Sequence, residues 1–299
     1  EVVGGNCGFT QTGLVTVVNE ANAEELRRTV ETLRGIGVNT QIVSRDELRE
    51  LQPAARVEDI ALAAYEPESG FADPVTATQS LAARAKDFGA AFKTGTFVKS
   101  ILVNSGRVFG VNTSIGQIEA LTVVVMTGPW SERFLKPLGV EIGIESRRAE
   151  VAFFDRPSEL KSGHAAFLDA ITGAHFRPHT FGLTMAGLTA PGVEVKSLDT
   201  FDESLARESV ADIQQRVAAR LPAMANARYM RGHAGVYDIT ADGHAVIGRA
   251  PGIRGLIVAA GFSGTGFALA PAVGECVAEM IADGEARADV SAFRLERFH

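Results

Sequence analysis

Residues 256–282 hold the strongest chemical signal in the chain. An apolar strand, Leu256–Ala260, meets the glycine-rich turn Gly261-Phe262-Ser263-Gly264-Thr265-Gly266-Phe267, and a helix follows with Ala270, Val273, Val277 and Ile281 on one stripe. Glycines let a ligand approach the backbone, and the start of a helix presents unpaired N–H groups and a positive dipole end, so an anionic group is favoured there. Several ligand classes share that chemistry. A dinucleotide fingerprint needs Gly-x-Gly-x-x-Gly, but Leu269 stands where the third glycine belongs. A nucleophile elbow needs Gly-x-Ser-x-Gly, but Thr265 occupies the last glycine position. A turn that only joins a buried strand to a helix would read the same way.

Other reactive residues are scattered. His175 and His179 have i, i+4 spacing, yet Pro178 interrupts any helix that would align them and no cysteine or carboxylate completes a metal set, so metal is not expected. Arg177 and Arg148 are candidate carboxylate anchors, with a solvated or structural role the competing reading for each. Cys7 and Cys276 stand far apart without metal-ligand spacing, which favours free thiols in a reducing, cytoplasmic setting.

The elements that must position these groups follow from local signals. Leu26, Val30 and Leu33 mark a helix that stops at Gly35 and Gly37. Ser44 with Glu47 forms a capping box for a short helix ended by Pro53. Asp73-Pro74 opens another, with Leu81, Ala85 and Phe88 on one face before Gly89. Residues 97–125 read as a meander with turns at Ser105-Gly106 and Ile115-Gly116, leading to Val123-Val124-Val125, an apolar strand expected to be buried on both faces. Residues 142–200 are strand-rich, and Val210, Ile213, Val217 and Leu221 form a helix halted by Pro222.

Composition narrows the class. The 299 residues carry 29 Lys+Arg against 36 Asp+Glu, a net charge of −7, with 46% hydrophobic residues. That describes a globular chain with no basic tract to track phosphates, so neither nucleic acid nor an anionic membrane is an expected partner. No apolar run is long enough to suggest a membrane span.

The order of these pieces resembles the D-amino-acid oxidase, glycine oxidase and sarcosine oxidase family of FAD-dependent oxidoreductases. The likeness runs through Gly70-Phe71-Ala72-Asp73-Pro74, Gly89-Ala90, Val108 to Gly116, Val123 to Ser131 and Arg177-Pro178. It is densest over 232–284, where Val236 to Gly243, Val246-Ile247-Gly248 and Gly261 to Gly274 match the C-terminal flavin signature in order and spacing. The resemblance implies that Gly261, Phe262, Ser263, Gly264, Thr265, Gly266 and Phe267 lie against the isoalloxazine and ribityl parts of FAD. It also implies that Val98 meets the adenine, that Gly128-Pro129-Trp130 lies beside the ADP moiety and that Asp242-Gly243-His244 is a turn near the ring. Tyr237 falls at a position that faces substrate in the family, and a half-buried core tyrosine is the competing reading.

Departures from the family pattern matter as much. The cysteine that carries covalent flavin in monomeric sarcosine oxidases is missing near Gly235, which implies non-covalent FAD. Glycine oxidases have an anchoring arginine near Tyr237 and sarcosine oxidases an anchoring lysine where Ala268 stands, and neither is present; Thr184 falls near the latter's oxygen-activating lysine, so oxidase and dehydrogenase are both open. Gly4-Gly5-Asn6-Cys7-Gly8 is not the family's opening strand-turn-helix fingerprint, which implies a truncated chain lacking its N-terminal dinucleotide unit.

The expected architecture mixes α/β and α+β: a glutathione-reductase-like FAD-binding domain, without its N-terminal βαβ, interleaved with an antiparallel-sheet substrate domain. The substrate domain is expected over 1–69 and 142–232 and the FAD-binding domain over 70–141 and 233–299. The expected activity is oxidation of a small-molecule amine or amino acid by hydride transfer from the α-carbon to flavin N5, with oxygen or another electron acceptor. The competing reading is a non-catalytic binding or assembly subunit that retains the fold.

Overall fold

A computed structural model describes residues 4–161 and 163–298. In chain order it begins with β1 (Thr10–Gln11), β2 (Leu14–Val18), α1 (Ala23–Gly35), β3 (Gln41–Val43), α2 (Arg45–Leu51), β4 (Leu62–Glu66), β5 (Gly70–Phe71) and α3 (Pro74–Asp87). Next come β6 (Val98–Asn104), β7 (Arg107–Thr113), β8 (Gly116–Glu119), β9 (Val123–Val125) and α4 (Ser131–Leu135). The remainder is β10 (Glu145–Asp155), β11 (Ala166–Asp169), β12 (Ala174–His179), β13 (Leu183–Leu188), α5 (Arg207–Arg220), β14 (Tyr229–Ile239), β15 (Val246–Arg249), β16 (Leu256–Ala260) and α6 (Gly266–Ala282). No helix among the described residues is long and apolar enough to cross a membrane.

Backbone contacts divide the chain into two compact units. The first comprises residues up to Ala90, Ala149–Gly192 and Asp202–Gly235; the second comprises Ala91–Arg148, Val193–Phe201 and Val236 onward. Four segments fall on the other side of the boundaries expected from sequence: 70–90 and 233–235 lie in the first unit, 142–148 and 193–201 in the second. Residues 70–90 join the first unit because Asp73 N–H bonds the Cys7 carbonyl and Ser80 Oγ bonds that of Asn6. Residues 193–201 join the second, through Arg148 N–H to the Val193 carbonyl and Val195 N–H to that of Ser146.

The first unit is built on an eight-stranded sheet in the order β14-β10-β13-β12-β11-β2-β4-β3, with β11 parallel to β2. Side chains alternate across it. One face buries Val15, Val17, Ala63, Ala152, Phe154, Phe167, Phe176 and Ala186 against Leu48 of α2 and Ile213, Val217 and Leu221. The short helix beneath holds its place through a full capping box: Glu47 N–H donates to Ser44 Oγ at 3.2 Å, and Ser44 N–H donates to the Glu47 carboxylate at 2.7 Å. Arg220, at the end of α5, is fully buried and donates to Asp169 Oδ2 and Asp59 Oδ1, each at 2.8 Å. On the opposite face α1 covers β2, β4 and β3, packing Leu26 and Val30 on Val18, Leu62, Ala64 and Ile42.

The second unit contains two three-stranded sheets, β6-β7-β8 and β15-β16-β9. Strand β16 is antiparallel to β15, parallel to β9, and buried at all five residues. The meander turns at Ser105-Gly106 as the sequence predicts, and at Ser114-Ile115, one residue before the expected Ile115-Gly116, because Gly116 already pairs with Thr113 as the first residue of β8. Three burial expectations fail. Strand β9 is an edge strand, paired on one side only; Val123 and Val124 are half-buried and Met126 is 50% exposed. Helix α6 buries Val273, Cys276, Val277 and Met280, while Ala270 and Ile281 are exposed. A 17-residue helix is about 25 Å long and overhangs five-residue strands of about 17 Å, so its ends find no sheet to cover. Helix α3 has its Asp73 cap and Pro74 as expected, yet buries nothing, with Leu81 and Phe88 exposed.

Candidate functional site

In the second unit the glycine-rich turn between β16 and α6 is held from β14. Asp238, nearly buried, accepts the Gly261 N–H on Oδ2 at 2.7 Å, and its carbonyl accepts the Ser263 N–H at 3.0 Å. Burial pushes this carboxyl above its ordinary pKa, and hydrogen bonds from Gly261 and Phe262 pull the other way. Ser263 sits at φ 51°, a left-handed conformation that side chains other than glycine's rarely adopt, so the turn is fixed in an uncommon shape. Gly264, at φ 90°, brings its backbone under the Tyr237 ring: a β-carbon there would stand 3.2 Å from two ring carbons. Burial also raises the Tyr237 phenol's pKa, keeping it a neutral donor.

The turn delivers α6 with a bare N-terminus. Thr265 precedes the helix without capping it, because its hydroxyl donates back to the Phe262 carbonyl at 2.7 Å. Phe267 and Leu269 flank this end, 52% and 40% exposed. The result is a set of outward N–H groups at the positive end of a 17-residue helix, beside apolar side chains.

Sequence reasoning missed Asp238 as the brace. A carboxylate inside an apolar strand was the available signal, since a buried charge needs donors.

In the first unit the half of the sheet that α1 leaves open is a cationic and aromatic surface. Strand β12 alternates Ala174, Phe176 and Pro178 inward with His175, Arg177 and His179 outward. The Arg177 guanidinium lies 4.1 Å from the centroid of Phe71, and its Nη1 donates to the Pro178 carbonyl at 3.0 Å and stands 3.4 Å from His179 Nδ1. The His179 ring is 5.1 Å from that of Phe153, which His233 stacks at 6.0 Å and Arg231 covers at 3.9 Å. Burial lowers the pKa of His175 and His179, and the neighbouring arginines add to this. Burial likewise lowers that of Arg177, against the attraction of Asp73. His175 and His179 therefore share a strand face, with an arginine between them. Of this group the sequence singled out Arg177; Arg231 and His233 are joined to it only by strand pairing across the sheet.

The other expected site residues are placed individually. Val98 begins β6, pairs with Thr113 and is half-buried. Gly128 opens a 3-10 turn at φ 52°, and a β-carbon there would lie 4.0 Å from Asp238 Oδ2. Trp130, in the same turn, donates its indole N–H to Asp199 at 3.0 Å. Gly235 lies in β14, where a β-carbon would meet nothing within 4 Å. Asp242 is engaged by Arg297 at 2.7 Å, by the Thr240 hydroxyl at 3.1 Å and by the His244 N–H at 3.0 Å, bonds that hold its carboxyl far below the usual carboxylate range. It braces its own turn. Arg148 lies in β10. Thr184 is fully buried and shares a 2.9 Å hydrogen bond with His164 Nε2. Gly266 starts α6, where a β-carbon would press on Phe262 at 3.1 Å.

The donor set fits a flavin. Reduced isoalloxazine carries negative charge along its N1 and O2 edge, which outward N–H groups at a helix N-terminus stabilise, and exposed Phe267 and Leu269 suit a planar ring.

Known proteins bear on the same residues. The family model described as FAD dependent oxidoreductase matches residues 1–280. The chain is 28% identical to glycine oxidase of Geobacillus kaustophilus, over 99% of this chain and 76% of that protein. It is 27% identical to monomeric sarcosine oxidase of Bacillus sp., over 97% and 76%. Among solved structures it is similar to L-proline dehydrogenase from P. horikoshii, with a TM-score of 0.89, 29% identity, and coverage of 99% of this chain and 78% of that one. A match across nearly the whole length, joined to a helix end chemically suited to flavin, settles the class: the chain belongs to the DAO family of FAD-dependent oxidoreductases.

Proposed function

We propose that this chain oxidises an amine or amino acid with non-covalently held FAD, with the turn at Gly261–Phe267 against the cofactor and Tyr237 and Arg177 as substrate contacts. The observation that carries the reading is the exposed, uncapped start of α6, fixed from Asp238. The chemistry supplied by bound FAD is acceptance at N5 of a hydride from the substrate's α-carbon, leaving an imine that water hydrolyses after release. The chain's own residues bind and orient. N–H groups at α6 hold the charge that develops on reduction, Tyr237 offers a neutral phenol, and Arg177 anchors a carboxylate. No side chain need carry a proton in the hydride step, provided the amine arrives neutral. Oxygen or another acceptor takes the electrons onward.

In this reading Val98, Gly128 and Trp130 lie beside the ADP half of the cofactor. Free thiols at Cys7 and Cys276 support a reducing, cytoplasmic setting.

The test is the protein loaded with FAD. Flavin should leave with the supernatant on acid precipitation, and a panel of primary and secondary amino acids should bleach its visible absorbance anaerobically. Flavin retained but reduced by no amine would instead favour the non-catalytic subunit.

A further inference from the structure

We propose that the open half of the sheet's second face selects a substrate with two anionic groups, an amino- or imino-dicarboxylate, and that Arg177 and Arg231 take one carboxylate each. The inference rests on the proposed amine oxidation and adds the substrate class to it.

Two guanidinium groups face this surface. Neither has a carboxylate within ion-pair distance among the described residues. Asp73 is the acid nearby, acting on both Arg177 and His179, but its Oδ1 is engaged in capping α3 through the Thr76 N–H at 2.7 Å. Both guanidiniums lie over phenyl rings, Arg177 4.1 Å from the centroid of Phe71 and Arg231 3.9 Å from that of Phe153, contacts that use no N–H donor. The hydrogen bonds described for Arg177 use only Nη1.

Spacing sets the ligand's shape. Arg177 on β12 and Arg231 on β14 are three strand spacings apart in the sheet, about 14 Å between backbones. The Arg231 guanidinium reaches over Phe153 of the neighbouring strand at 3.9 Å, and His179, 3.4 Å from Arg177, packs its ring on the same Phe153 at 5.1 Å. A dicarboxylate answers both guanidiniums, one carboxylate at either end. A monocarboxylic amino acid would leave Arg231 unanswered, and a simple amine would leave both.

Gly187 of β13 lies under the His175 ring, where a β-carbon would meet ring atoms at 2.8 and 2.9 Å, so the imidazole packs directly on the strand. His175 and His179 then serve as neutral hydrogen-bond partners beside the two permanent charges.

The experiment is isothermal titration of the FAD-loaded protein with glutarate and with butyrate at low ionic strength, where exposed charges act at full strength. Glutarate should bind about tenfold tighter or better, the increment of one added charge-assisted contact. Arg231→Leu should collapse the ratio towards one, Arg231→Lys should recover part of it, and Arg177→Leu should weaken both acids. Equal affinities, or a ratio that survives Arg231→Leu, would overturn the proposal. Anaerobic flavin reduction by N-methylglutamate and N-methylalanine separates it from the reading beneath. N-methylalanine reducing the flavin faster overturns the dicarboxylate class while oxidation stands; a glutarate preference with no amine reducing the flavin overturns oxidation while upholding the dicarboxylate site.

Discussion

Asp238 Oδ2 and the Gly261 N–H are joined at 2.7 Å, tying β14 to the turn that launches α6. Asp238→Ala would leave buried donors unanswered, an expected loss of about 1–3 kcal/mol in stability, with weaker flavin binding. Asp238→Asn keeps an acceptor and should recover most of both. Urea denaturation and flavin fluorescence titration read the two effects; equal behaviour of the two variants would show that the acceptor is not what holds the turn.

Gly264 and Tyr237 should be coupled. A β-carbon at 264 meets the Tyr237 ring at 3.2 Å and must adopt φ near 90°, so Gly264→Ala is expected to cost about 1–2 kcal/mol from the backbone alone. The ring contact adds to this. In a double-mutant cycle with Tyr237→Ala, the ring's share should vanish while the backbone share remains. Strict additivity would mean that the ring already moves freely.

How much of this was legible in the sequence depends on the distance over which each signal acts. The Ser44–Glu47 capping box, the Asp73 cap and the turns at 105–106 and 114–115 act within a few residues, and all are present, the last one residue early. Burial was not legible where it depends on neighbours: the text of Val123-Val124-Val125 does not say that its strand lies at a sheet edge, nor that Leu81 and Phe88 meet no core. The site divides the same way. The glycine turn is local, but the company of Arg177, Phe153 and Arg231 arises from pairing across β12, β13, β10 and β14.

Stability should fall in mild acid because of His164. Its Nδ1–H donates to the Ala165 carbonyl at 2.7 Å, its Nε2 faces the Thr184 hydroxyl, and burial lowers its pKa from 6.5 to about 4. As pH drops below 6.5 the unfolded chain gains a proton that the folded chain refuses until about 4, so stability declines across that window and then levels. The full span is about 3 kcal/mol, and His175 and His179, lowered likewise, act in the same direction. Denaturation midpoints at several pH values should show the slope, reduced in His164→Gln. An unchanged slope in that variant would assign it to other groups.

Arg220 should be the first unit's most sensitive charge. It is fully buried between Asp169, itself fully buried, and Asp59. Arg220→Met leaves Asp169 without its counter-ion, an expected loss of about 3–5 kcal/mol. Asp59→Ala removes the more exposed partner and should cost about 1 kcal/mol or less. Thermal melts of the two variants, compared with the parent, decide the ranking.

The outer edge of β9 carries a further consequence, for handling. Leu121-Thr122-Val123-Val124-Val125-Met126 has no lysine, proline or bulge to discourage pairing, and the strand's second side meets no strand among the described residues. An open edge of this composition is a template for another chain's backbone. The protein should therefore associate as its concentration rises, by pairing through the free side of β9.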